Sequence, residues 1–151
     1  MKQVIEYIRD KTYFRVKPSL IEGVGLFSIR DIKKGTNILE EYPHKFFGPI
    51  PLNEIKDFHS GVIESLNSFY SNDGKDIYIR LFPYMKIAMC DFINHSDINN
   101  VRYVMKEPTC SVDGESWCEV ELHTIRNIKQ GEEILLNYKH PSMSRFYNNE
   151  I

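Results

Sequence analysis

Between Leu52 and Tyr70 apolar side chains return at helical spacing, as Leu52, Ile55, Phe58, Val62, Ile63, Leu66 and Phe69, with an interruption at Ser60 and Gly61. This is the one clearly helical stretch of the chain. The first ten residues fit helix or strand, because Val4, Ile5 and Ile8 meet helical spacing only loosely. From Thr12 to Lys17 and from Leu26 to Ile32 apolar and polar residues alternate, as half-buried strands require, and Pro18 and Gly23 break the runs. A turn at Lys33 to Gly35 leads into an extended run through Ile38 and Leu39 to Tyr42, after which Pro43, Pro49 and Pro51 are expected to prevent regular pairing. Asp73 and Gly74 mark a turn, Ile77, Ile79 and Leu81 alternate, and further strands are expected at Val101 to Met105, Cys118 to Ile125 and Ile134 to Tyr138. The pattern predicts a mostly β fold with a small helical insert.

An internal repeat strengthens that expectation. Ile29 to Leu39, IRDIKKGTNIL, matches Ile125 to Leu135, IRNIKQGEEIL, at seven positions. In each copy an Ile-Arg strand end meets a Lys-Gly turn and leaves through Ile-Leu, which predicts a β-turn whose glycine takes positive φ. Two such hairpins far apart in sequence imply a fold made of related small sheets.

Composition narrows the function classes. A chain of 151 residues with 42% apolar and 26% charged side chains is long enough for one core, and is read as a single domain over 1–151. The longest apolar stretches, such as Ile87 to Cys90, fall far short of the roughly 20 residues of a membrane span, and no targeting segment is visible. Cys90, Cys110 and Cys118 form no CxxC pair and cannot all pair with one another, so an intracellular protein is expected. A formal charge of −2 lacks the basic footprint of a nucleic-acid binder. Glu40, Glu41, Glu119 and Glu121 would attract a basic peptide or simply form a solvated face.

The chemistry begins at Asp91 to Asn100, DFINHSDINN, a polar cluster directly after the apolar run at 87–90. Asn94 carries a donor and an acceptor, as does a neutral His95, and Ser96 can satisfy a turn; together they bind a small polar molecule or close a loop. FINHS, with the polar pair Asn99 and Asn100 after it, resembles the Asn-His-Ser segment of SET domains, the fold of protein lysine methyltransferases. Two more words agree in order. Gly23 to Phe27, GVGLF, is similar to the opening SET segment, and Ile128 to Tyr138, IKQGEEILLNY, resembles the closing one, in which Gly-Glu-Glu precedes a strand ending in tyrosine. The resemblance runs from about Phe14 to Tyr138, leaving 139–151 as a tail.

The resemblance implies a β-clip of small twisted sheets with a knot-like C-terminal segment, which would bring Asn94, His95 and Tyr138 together. It implies S-adenosylmethionine as cofactor, approached by the main chain at Val24 and Gly25 and held by Asn94 and the main chain of His95. Tyr138 matches the family's active-site tyrosine and Tyr42 a second tyrosine lining the same centre. Leu136 would stand in the substrate channel with Tyr84, while Phe146 or Tyr147 in the tail would cover it. Since many members place Phe or Tyr at the position of Leu136, the hydroxyl-free leucine predicts products beyond monomethylation, unless Tyr84 or Tyr103 fills that space.

Departures from the family pattern are also informative. The usual Cys and Pro of the Asn-His-Ser segment are replaced by Asp97 and Asn99, and no cysteine set has zinc-finger spacing, so no metal is expected. The partner implied is a protein with an exposed lysine, a histone tail being the commonest class, with a nuclear location in that case; no direct nucleic-acid or membrane contact is implied. The alternative is a catalytically silent SET-fold binding module, and a small-molecule methyltransferase is the weaker rival.

Overall fold

A computed structural model describes residues 1–40, 42–81, 89–112 and 115–139, and within 106–119 the backbone alone. In chain order its elements are α1 (Lys2–Lys11), β1 (Phe14–Pro18), β2 (Val24–Ser28), β3 (Phe46–Pro51), α2 (Leu52–Ile55), α3 (Ser60–Phe69), β4 (Asp76–Leu81), a 3₁₀ turn (Cys90–Phe92), β5 (Asn94–His95), β6 (Val101–Val112), β7 (Glu115–Thr124) and β8 (Glu133–Leu136). One sheet runs β1-β2-β8-β6-β7, with β5 also lying along β8, and a separate sheet pairs β3 with β4. The mostly β fold of small sheets is as the sequence predicts.

The open N-terminus is helical. Val4 and Ile8 lie one turn apart and are buried, and Thr12 ends α1 by turning extended while its hydroxyl donates to Ile8 O at 2.7 Å. These side chains pack with Ile29, Ile50, Ile55, Val62, Leu66, Ile77 and Ile79 in one core, formed by α1, the helical insert and the β3-β4 sheet. A second core collects Phe14, Leu26, Ile32, Ile38, Leu39, Ile93, Val101, Leu122, Ile128, Ile134 and Leu136 from the larger sheet.

Three expectations are corrected. The break in the helical stretch lies at 56–59, and Ser60 and Gly61 instead begin α3: His59 is its N-cap, with Nδ1 accepting from Gly61 N at 3.1 Å. Gly61 is there because a Cβ would come within 2.7 Å of Ile29 Cβ and 2.9 Å of Ile29 O. The described residues of the run from Ile38 to Tyr42 form no strand. Asn37 Oδ1 accepts from Leu39 N at 3.0 Å and Leu122 N at 3.3 Å, a side-chain turn that limits pairing to the single bridge of Asn37 with His123. Finally, Pro49 and Pro51 do lie in a paired strand. Leu52 N donates across to Lys75 O at 2.9 Å, so even-numbered residues face β4 and both proline nitrogens face the open edge, where no N–H is needed.

The repeat folds as two copies around one antiparallel pair. Ile32 and Ile128 exchange both backbone hydrogen bonds, at 2.8 and 2.9 Å, and the turn glycines Gly35 and Gly131 have φ of 85° and 83°. Each copy supports the other: Lys34 N donates to Asn127 Oδ1 and Gln130 N to Asp31 Oδ1, both at 2.9 Å. Gly35 N likewise donates to Thr124 O and Gly131 N to Ser28 O, both at 2.8 Å. The second copy delivers β8 into the middle of the larger sheet, between β2 on one side and the 94–101 segment on the other. This sets the closing segment beside the Asn-His-Ser segment, as the family resemblance implies.

Candidate active site

The segment 93–100 is brought to β8 by backbone pairing. Asn94 pairs with Leu135 and His95 with Leu136 in parallel register, and Ser96 N donates to Leu136 O at 3.0 Å. Asn100 closes the arrangement. Fully buried, it donates from Nδ2 to Glu133 O at 2.7 Å, accepts from Leu135 N on Oδ1 at 2.8 Å, and donates its own N–H to Leu135 O at 3.0 Å. Its carbonyl accepts from Ile125 N at 2.9 Å. A buried amide with both ends satisfied fixes the register of two segments far apart in sequence.

That register places Tyr138 against the Asn-His pair. Its backbone N–H donates to His95 Nδ1 at 3.1 Å, its ring lies tilted against the imidazole with centroids 5.2 Å apart, and its hydroxyl donates to Ile93 O. Having one proton, the hydroxyl acts toward any further group as an acceptor. Tyr138 is 37% exposed.

On the other side of the pair, Asn94 Nδ2 donates to Glu133 Oε1 at 2.8 Å, Val24 O at 3.1 Å and Glu22 O at 3.3 Å. Gly25, in β2, is buried, whereas Val24 beside it is exposed. A Cβ on Gly25 would lie 2.1 Å from Glu133 Oε1 and 3.1 Å from Asn94 Nδ2. A side chain at Gly25 would displace the Glu133 carboxylate from this place. Val24, Gly25, Asn94, His95 and Tyr138 are brought together by β2, β5 and β8, five of the residues singled out in the sequence. An amide whose Oδ1 enters no described hydrogen bond fits a polar cofactor such as S-adenosylmethionine.

Tyr42 lies elsewhere in the described contacts: its ring meets Tyr7 at 5.2 Å and His44 at 5.8 Å, against the core that holds α1. Leu136, 4% exposed, packs in the core of the larger sheet, and Tyr103 packs partly buried against the same core. Tyr84, Phe146 and Tyr147 lie outside the described residues, as does Glu41. Glu133 and Asn100 were not singled out by sequence reasoning as site residues. The available signal was the Gly-Glu-Glu word that opens β8 for the first, and the second asparagine of the polar cluster for the other.

The family profile described as SET domain matches residues 23–139, more than half of the chain. No curated protein matches. Among solved structures, a Plasmodium falciparum protein described as a histone methyltransferase is 23% identical, with a TM-score of 0.43, over 85% of this chain and 95% of that one. A humanized mutant of the Chaetomium thermophilum Polycomb Repressive Complex 2, bound to the inhibitor GSK126, is 20% identical over 88% of this chain, with a TM-score of 0.40. A Polycomb Repressive Complex 2 in an autoinhibited conformation bound to S-adenosylmethionine is 21% identical over 89%, with a TM-score of 0.42. This chain spans 16% of each of the latter two. Since the matched segment contains the opening glycines, the Asn-His pair and the closing tyrosine, the chain belongs to the SET-domain family.

Proposed function

We propose that this SET-domain chain is a protein lysine methyltransferase that uses S-adenosylmethionine, with histone tails as its substrate class. The observation that carries the reading is the meeting of Asn94, His95 and Tyr138 beside the bare backbone of Gly25, produced by the parallel pairing of β5 with β8. When bound, S-adenosylmethionine supplies an electrophilic methyl group on a cationic sulfur. Asn94 Oδ1 and the main chain of His95 would hold the cofactor, with Val24 and Gly25 as the floor.

The attacking lysine must be neutral, although a free lysine has a pKa of about 10.4. Desolvation beside a positive charge disfavours its protonated form. Tyr138 holds its hydroxyl proton on Ile93 O, so the phenolic oxygen presents lone pairs that can accept from the incoming amine N–H and aim the nitrogen lone pair along the line of displacement. Held by Asn94 and the main chain of His95, the cofactor would supply its methyl group to that nitrogen and keep the electron pair of the C–S bond, and the amine's extra proton would pass to solvent.

Calorimetry with S-adenosylmethionine, followed by mass spectrometry of a histone-tail peptide array, tests the proposal. Cofactor binding with mass added in steps of one methyl is expected; binding without methylation makes the chain a recognition module, and absence of binding overturns the reading.

A further inference from the structure

Glu133 is the residue of this site that the mechanism leaves without a role. It stands opposite Phe27 in the β2-β8 ladder, so its side chain shares a face with Gly25 two residues along β2. Because Gly25 has no Cβ, the carboxylate can lie across β2 there: Oε1 occupies space that an alanine methyl would claim, at 2.1 Å. From that place it accepts from Ser19 Oγ at 2.8 and 3.1 Å, and from Asn94 Nδ2 at 2.8 Å. No Lys, Arg or His among the described residues forms an ion pair with it. Among the described residues it thus bonds neutral donors.

The geometry around Asn94 supplies the task. Its amide nitrogen faces three acceptors, the Glu133 carboxylate and the carbonyls of Val24 and Glu22. Reversing the amide would set Oδ1 against all three and replace attraction by repulsion, with the charged carboxylate the strongest of them. Asn94 consequently keeps one end committed to protein, and the acceptor Oδ1 is the end left for a ligand donor such as an amino group. We propose that Glu133 is a positioning residue which, by passing over Gly25, holds the Asn94 carboxamide with its acceptor end toward the cofactor. The inference rests on the methyltransferase reading above. It also gives Gly25 a second reason to be glycine: a methyl group there displaces Glu133, and the glutamate's hold on Asn94 is lost with it.

The test compares Glu133→Met, Glu133→Gln and Glu133→Met/Asn94→Ala with wild type and Asn94→Ala, using S-adenosylhomocysteine as the calorimetric probe and thermal melting as a control. Glutamine can accept from Asn94 through Oε1 while its amide faces the Ser19 hydroxyl, whereas methionine offers no acceptor of comparable strength. Glu133→Met is expected to weaken binding about tenfold, the scale of one charge-assisted hydrogen bond, and to raise the cofactor KM in preference to lowering kcat. Glu133→Gln is expected to recover most of the affinity, and the double variant to bind no worse than Asn94→Ala alone. Wild-type affinity in Glu133→Met, no recovery in Glu133→Gln, or additive losses in the double variant each overturn the proposal, as does a lowered melting temperature with unchanged affinity. The Asn94 side-chain amide NMR signal, identified by its loss in Asn94→Ala, separates the two levels. Should wild type fail to bind the probe while Glu133→Met still shifts that signal, the cofactor reading falls and only the Glu133–Asn94 contact survives.

Discussion

The backbone N–H of Tyr138 donates to Nδ1 of His95 at 3.1 Å, so the imidazole of one site residue holds the main chain of another. For Nδ1 to accept, the ring proton must sit on Nε2, which faces Asp97 Oδ1 at 3.5 Å. Asparagine places an acceptor close to the position of Nδ1, whereas alanine places none. His95→Ala should lower turnover at saturating cofactor about tenfold or more, since small displacements of a positioning group are costly, and His95→Asn should recover most of it. Steady-state kinetics of the pair checks this, and equal loss in both variants would show that the ring acts by packing alone.

Tyr138→Phe removes one oxygen and its bond to Ile93 O. The fold should survive with a loss of about 1 kcal/mol, and S-adenosylhomocysteine affinity should stay within about twofold because Asn94 and Gly25 are untouched. Methyl transfer should fall on the order of 100-fold, the scale of removing one preorganised polar group. Calorimetry alongside single-turnover methylation measures both; full turnover in the variant would make Tyr138 a packing residue.

How the fold could be read from sequence depended on whether each constraint was local. The Lys-Gly turns were legible because positive φ is a property of a few consecutive residues, and Gly35 and Gly131 both adopt it. That Ile32 would pair with Ile128 was not, since the repeat shows likeness and says nothing about contact. Pro49 and Pro51 misled because a proline's compatibility with a strand depends on which edge its nitrogen faces, and the partner strand β4 decides that. At the site, Asn94, His95 and Tyr138 came from family resemblance. Glu133 and Asn100 act through residues 33 to 39 positions away, which no short word reveals.

Asn100 yields a stability prediction from that same distance effect. Asn100→Ala strips partners from the part-buried Glu133 O and Leu135 N and removes a fully buried side chain, leaving a small cavity. At about 1–3 kcal/mol for each unsatisfied group, the loss should be roughly 2–6 kcal/mol. Because those bonds fix β8 beside β5, cofactor affinity should fall in the fraction that remains folded. Chemical denaturation checks the first part, and a change under 1 kcal/mol would mean that the register is held by the ladder alone.

Acid should attack the reciprocal turns first. The carboxyl of Asp31 is held below the usual range by the Lys129 ammonium and the Gln130 N–H, and that of Glu132 by the Arg126 guanidinium, against the opposing effect of partial burial. Both groups sit in the two copies of the repeat, where Asp31 ties one turn to the other and Glu132 accepts from Lys129 N at 2.9 Å within its own turn. A carboxyl whose folded pKa is depressed binds fewer protons than its unfolded counterpart as pH falls past the ordinary value. Its stabilisation is therefore complete above about pH 5, begins to decline near pH 4 where unfolded carboxyls take up protons, and is lost as pH drops through the lowered folded values. Melting temperature should be flat from neutrality to about pH 5 and fall steeply below about pH 4. In Asp31→Asn/Glu132→Gln, the plateau should start lower and the acid limb should be shallower, because the titrating groups are gone while amide oxygens still accept the backbone N–H bonds. Thermal melts of both proteins between pH 3 and 7 decide the matter: parallel acid limbs would place the acid sensitivity in other carboxylates, such as Asp10 and Asp73, whose pKa values are also lowered.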